Sequence, residues 1–402
     1  MGKEKLAIIG SGNWYVHVAA SPPRIIVDLP LRRDYVDIIR SRSFGIFRPP
    51  RAGLQGSAIA RIAGNNVPRF ADEFDQNISV WVYEEEFEGK KLTEIINTEH
   101  ENKKYLPGVK LPENVVAIPD IGEAVKGATA LVFVMPHQFL GRVIDQLSGK
   151  VQKGAKAISL IKGVDVKGAD IHIFADVISD KLGVSCSALS GANIAPEVAR
   201  DQFSETTIGY RSKEEGEMWK RLFETPSFRV SLVEDVAGVS LCGALKNIVA
   251  VAAGLVEGLG WGNNSQAAIM RIGLLEMHEF CLEFFEGVKA ETFLMESSGV
   301  ADVITSCLGG RNKRVAVAFV KEKKVSTTCR AQLRDHTAWS SSPFDELEQS
   351  MLNGQKLQGI HTAKEVHNFL KARNRVDAYP LFNNVYKVCW ENYPVEKLTE
   401  GV

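Results

Sequence analysis

Two lysines interrupt otherwise apolar text. Lys162 closes the run SLIKGVD, and Lys246 sits inside VSLCGALKNIVAVAAG with no charge in the several residues before it. An ammonium group surrounded by apolar side chains loses hydration, and its pKa falls toward the range where it can give and take a proton near neutrality. Either lysine alone is explained by a stem that stretches to solvent. Together they suit a reaction in which a carbonyl is polarised and its oxygen protonated while hydride reaches the carbon. Further along, Gly309-Gly310-Arg311-Asn312 sets a guanidinium and an amide on a glycine turn. Arg311 offers paired donors that match a phosphate, and Asn312 offers one more.

Such groups need a frame, and the N-terminal text suggests one. KLAII, residues 5 to 9, reads as a short strand running into Gly10-Ser11-Gly12. Glycines are required where the backbone turns tightly and approaches a pyrophosphate at a helix start. The third glycine of that pattern is missing, because position 15 is Tyr. Residues 15 to 55 instead carry five prolines and seven arginines without a lysine, and a helical pattern begins only at Gly56. Removing those 41 residues joins GSGNW to GSAIARI and restores Gly10, Gly12 and Gly56 in G-x-G-x-x-G register. The second strand, ISVWVY, ends at Tyr83 before three glutamates; an acidic side chain there accepts from a ribose 2′-hydroxyl and repels a 2′-phosphate, which favours NAD over NADP. A further apolar strand, ALVFV, runs into MPHQF, where Phe139 is placed either against a cofactor or in the local core.

Short β-type runs at 78–83, 115–118, 130–134 and 156–160 alternate with helix-like segments, which predicts an α/β fold with a mostly parallel, doubly wound sheet. TTIGY, 206 to 210, is read as the last strand. Long helical patterns follow at 236–257, 264–285 and 362–370, so the chain divides into a nucleotide-binding domain over 1–232 and a mostly α-helical domain over 233–402. Two domains also suit 402 residues at roughly 150 per domain. With 45% hydrophobic and 24% charged residues the chain is an ordinary globular one, and a net charge of −1 argues against nucleic acid as a partner. The six cysteines show no C-x-x-C spacing, so neither a zinc site nor a redox dithiol is expected, and the thiols read as buried and free. No metal is expected. No apolar run is read as reaching the roughly 18 residues that span a bilayer, no secretory leader is read at the N-terminus, and the closing TEGV is not a peroxisomal address, so a cytoplasmic protein is expected.

The quoted text, with KKLTEIINTEHENKKYLPG, GANIAPEVA, SSGVADVIT and LNGQKLQG, resembles the eukaryotic cytosolic-type NAD-dependent glycerol-3-phosphate dehydrogenases along nearly the whole chain. The resemblance implies reversible hydride transfer between NADH and dihydroxyacetone phosphate, on a Rossmann-type sheet plus a helical domain, in a homodimer without metal. It implies that Gly10, Ser11, Gly12, Asn13, Trp14 and Gly56 hold the pyrophosphate, and that Tyr83, Phe139, Ala195 and Arg311 line the cofactor site. Lys246 becomes the proton donor and acceptor, with Lys162 on the substrate and Asn247, Asp302 and Thr305 around them. Arg311 and Asn312 resemble a phosphate clamp, and Lys356 and Gln358 a loop that closes over cofactor. GGRN and NGQKLQG favour this family over 6-phosphogluconate or 3-hydroxyacid dehydrogenases.

Two stretches stand outside the resemblance, 15–55 and about 325–342, both free of lysine and both interrupting family text; translated non-coding sequence accounts for that pattern, and a regulatory arm is the competing reading. The first lies where Asn13 and Trp14 must be held against the helix start, so it is expected to loosen the cradle, and a catalytically inactive NAD-binding form is the alternative to an active enzyme. The intact Lys162, Lys246 and Arg311 argue for the active form.

Overall fold

A computed structural model describes residues 2–11, 55–168, 170–330, 343–352 and 356–402. Gly12, Asn13, Trp14 and nearly all of 15–55 lie outside these, as do 331–342. Eight short strands form the main sheet: β1 (Leu6–Ile9), β2 (Ile78–Trp81), β3 (Val115–Ile118), β4 (Ala130–Phe133), β5 (Lys156–Ser159), β6 (Ser185–Ser190), β7 (Ser204–Gly209) and β8 (Phe228–Val233). Their order is β8-β7-β6-β5-β4-β1-β2-β3, and every neighbouring pair is parallel except β6 with β7. The chain moves outward in one direction through β2 and β3, then returns to the other side of β1 with β4. The order therefore reverses between β1 and β4, and a crevice opens beyond their carboxyl ends.

Both faces of the sheet are covered, which is why its strands read as almost unbroken apolar runs. One face packs against the helix Gln55–Asn66 (α1) through Ile59 and Ile62, and against Lys213–Phe223 (α2) through Trp219 and Phe223. The other face joins a larger core whose axis is the helix Val236–Leu259 (α3), buried along nearly its whole length. Asp235 caps α3: its carboxylate accepts from the Gly238 amide at 2.6 Å, from the Lys289 amide at 2.9 Å and from the Thr292 hydroxyl at 2.6 Å. Around α3 pack Asn263–Phe284 (α4), Asp302–Gly309 (α5), Arg311–Arg330 (α6), Gln358–Ala372 (α7) and Pro380–Trp390 (α8).

Three expectations change. The last strand is β8, not TTIGY, and β6, with the text SCSALS, is a further strand whose small side chains conceal it in the sequence. Around Lys246, α3 is 24 residues long and its most apolar 18-residue stretch has a mean hydropathy of 1.9, with 94% of that stretch buried inside the molecule as in a core helix. The backbone of α6 also continues through Val325 to Arg330, so the helix extends into the stretch read as inserted. Among the described residues, Cys186, Cys242, Cys281, Cys307 and Cys389 are buried thiols outside any disulfide.

Candidate active site

The crevice begins at β1. Gly10 has φ +110°, and a Cβ there would lie 2.1 Å from the Val134 carbonyl oxygen at the end of β4. Gly56, in the first turn of α1, is equally constrained: a Cβ would lie 2.1 Å from the Gly10 carbonyl oxygen. The Ser57 hydroxyl donates to the Ser11 carbonyl at 2.8 Å, and the buried Asn102 amide donates to Ser57 Oγ at 2.9 Å and to the same carbonyl at 3.3 Å. The start of α1 is thus seated on the end of β1 as an uninterrupted glycine motif would seat it. This arrangement fits a dinucleotide pyrophosphate, which is recognised by backbone amides and the positive end of a helix at this place in the fold.

Opposite, a cleft of about 600 Å³ is bounded by the loop after β4, by Ala195, and by α3, α5, Arg311 and Gln358. Its polar centre is a trio of which Lys246 and Asp302 are buried and Lys162 is partly buried. Lys246 donates to Asp302 Oδ1 and, at 2.8 Å, to the Ser306 hydroxyl. Lys162 donates to Asp302 Oδ2 at 2.9 Å and to the Gly191 carbonyl at 3.2 Å. The Lys246 side chain is 8% exposed and that of Asp302 3%. Asp302 opens α5 directly after a π-helical turn, Ser297–Ala301, where the helix dipole favours a carboxylate. Burial pushes the Lys246 ammonium down from its ordinary 10.5 to about 8; the Asp302 charge opposes that fall and the Lys162 charge adds to it. One carboxylate between two ammonium groups, one of them close to neutrality, can transfer a proton to an oxygen in the cleft.

The remaining residues divide by place. Thr305, Ala195, Arg311 and Gln358 line the cleft with the trio. The hydroxyl that accepts from Lys246 is that of Ser306, however, and not Thr305. Asn247, Lys356 and Gln358 line a smaller adjoining cavity of about 240 Å³. Asn312 is committed within the protein: it donates to Asn247 Oδ1 at 2.8 Å and accepts from the Gly359 amide at 2.9 Å, which ties α6 to α3 and α7 one residue away from Arg311, Lys246 and Gln358. Phe139, in a 3-10 turn after β4, is outside the lining of both cavities. Tyr83, just beyond β2, is 55% exposed. The glutamates after it serve the protein itself: Glu84 accepts from the Thr93 hydroxyl at 2.6 Å, and Glu85 pairs with Lys104 and Tyr105. Sequence reasoning missed His137, which lines both cavities, stacks on Phe174 and is held below its ordinary pKa by burial.

Comparison with known proteins gives the same assignment for both halves. Residues 52–216 match the family model for the NAD-dependent glycerol-3-phosphate dehydrogenase N-terminus, and residues 235–400 match the model for its C-terminus. The chain belongs to this family. The N-terminal match begins at residue 52, just before α1. The chain is 50% identical over 345 residues to the glycerol-3-phosphate dehydrogenase 1-like protein of Xenopus tropicalis, covering 86% of this chain and 93% of that one. It is 50% identical over 344 residues, with the same coverage, to the cytoplasmic glycerol-3-phosphate dehydrogenase [NAD(+)] of Mus musculus. The solved structure of the Saccharomyces cerevisiae glycerol-3-phosphate dehydrogenase superposes with a TM-score of 0.81 at 40% identity, covering 100% of this chain and 99% of that one.

Proposed function

We propose that this chain is an NAD-dependent sn-glycerol-3-phosphate dehydrogenase that interconverts dihydroxyacetone phosphate and glycerol 3-phosphate. The observation that carries the reading is the Lys162–Asp302–Lys246 trio, centred on buried Asp302 and Lys246, opening into one cleft with Arg311. The dinucleotide, when bound, supplies or takes up the hydride. Gly10, Ser11 and Gly56, with Gly12, Asn13 and Trp14, hold its pyrophosphate, and Ala195, Phe139 and Tyr83 flank the rest. Lys162 polarises the substrate carbonyl, Lys246 protonates the oxygen as it gains charge, and Asp302 keeps both ammonium groups aimed into the cleft. Arg311 anchors the phosphate, with Asn312 holding the turn beneath it. Asn247, Lys356 and Gln358 close the polar wall, and Thr305 shapes the cleft beside Ser306. The names of the mouse, rat, bovine and human relatives support a cytoplasmic enzyme, and the family resemblance supports a homodimer.

A second reading, a catalytically silent NAD-binding form, is favoured by one observation: 41 residues separate Trp14 from Gly56. NADH oxidation with dihydroxyacetone phosphate, measured on the full chain and on a version lacking residues 15–55, decides between them. Comparable rates support an active enzyme whose extra segment is harmless; turnover in the trimmed chain alone supports the silent form. Absence of turnover in both overturns the proposed activity.

A further inference from the structure

Glu348 lies outside both cavities, yet it touches the chain at the point where two cavity residues enter. It sits on the helix Pro343–Leu352 with only 2% of its surface exposed. Its Oε1 accepts from the Leu357 amide at 2.7 Å, and its Oε2 accepts from the Lys356 ammonium at 2.9 Å. Leu357 is the residue before α7, and that helix opens with Gln358, which lines both cavities, and Gly359, whose amide donates to Asn312. The His361 ring approaches Oε1 at 3.7 Å from one turn further along. Burial raises the carboxyl's pKa, but His361, the Leu357 amide and Lys356 outweigh that and leave it below its ordinary value. Removing a partner would leave the buried carboxylate uncompensated, so Glu348 and the groups that donate to it hold one another in place.

We infer that Glu348 is a positioning residue, which sets the Lys356–Gln358 arm against the site by fixing the ammonium of Lys356 and the entry amide of α7 with one carboxylate. The inference rests on the dehydrogenase reading for its kinetic consequence, and on geometry alone for its structural one. Losing the charge removes the Glu348 contact from Lys356 and from the start of α7 together, while the trio that moves the proton stays in place. Binding should therefore suffer far more than turnover.

The test uses the full chain with Glu348→Gln, Lys356→Ala and the double variant. Glu348→Gln is expected to raise the KM for NADH or dihydroxyacetone phosphate about tenfold with kcat within about twofold, as loss of binding without loss of chemistry requires. Lys356→Ala is expected to cost several-fold in the native background and less than twofold when Glu348→Gln is already present, because Lys356 is then already released. Unchanged KM in Glu348→Gln, equal costs in both backgrounds, or a loss confined to kcat would overturn the inference. Amide hydrogen exchange across 357–360 supplies the readout that needs no turnover. Exchange at least tenfold faster in Glu348→Gln, with α3 still protected, is expected; unchanged exchange refutes the role whether or not the chain is an active dehydrogenase.

Discussion

Asp302 answers two ammonium groups with one carboxylate, and the proton chemistry follows from that shortage. With the Lys246 pKa held at about 8, the ammonium form predominates below that pH and the free amine above it. Carbonyl reduction consumes the ammonium form, so kcat/KM in that direction should fall as pH rises through about 8, while oxidation of glycerol 3-phosphate should rise through the same region. Asp302→Asn removes the charge that supports the ammonium form, so both profiles should move to lower pH, and reduction at pH 7 should drop roughly 10²–10⁴-fold. Lys246→Ala should lose turnover on the same scale while circular dichroism stays native; retained turnover would overturn the proton-transfer role. Both lysines were legible because a charge inside apolar text is conspicuous. Asp302 was legible only through the family resemblance. Ser306 was passed over because Thr305 and Ser306 stand three and four residues beyond Asp302, so helical spacing puts both on its side of α5. Only the contact with Lys246 separates them. The partners of Glu84 and Glu85, namely Thr93, Lys104 and Tyr105, are near in space but distant along the strand pattern, which does not reveal them.

At the scale of elements, capping and close approach decide what each helix delivers. The N-terminus of α8 is held by Glu276, which is 5% exposed and accepts from the Leu381 and Phe382 amides at 2.7 and 2.9 Å. Burial raises its pKa from 4.5 to about 7 despite those amides. A carboxyl whose folded pKa lies above its unfolded value binds its proton more tightly in the native state. Its contribution is complete below about pH 4.5 and is lost as pH rises through about 7, a change of at most about 3 kcal/mol. Thermal midpoints of the native chain should therefore decline between pH 5 and 8 relative to Glu276→Gln, and parallel curves would refute this. At the other end of the fold, Gly56→Ala drives a Cβ into the Gly10 carbonyl. It should cost about 1–3 kcal/mol and raise the NADH KM more than tenfold, measured by urea melts and initial rates. The strands that were read correctly are rich in Val and Ile. β6, with the text SCSALS, is central and buried but offers neither bulk nor β-branching. β8, FRVSLV, alternates as a strand should, but it stands alone between two helices, directly before the long apolar text of α3.

At the scale of the whole molecule, the sheet and α3 share one continuous hydrophobic core, and the site is assembled along it. The seat of α1 on β1 is the feature with the widest reach. Ser57 and Ser11 are hydrogen-bonded although they stand 46 positions apart, and they would stand 5 apart if the 41 residues 15–55 were gone. In the shorter chain this corner is a local contact, among the earliest a folding protein can form. Here it is a long-range one, whose closure costs about 2 kcal/mol more by chain statistics. The burden falls on folding speed more than on the shape of the finished protein, since topology governs rate. Stopped-flow refolding should be markedly slower for the full chain than for the trimmed one, and equal rates would count against this. A slow-closing corner leaves the apolar face of the sheet that α1 covers exposed for longer after synthesis, and that face is then open to association between chains. The extra segment should therefore show itself in the yield of soluble protein before it shows itself in the chemistry of the folded enzyme.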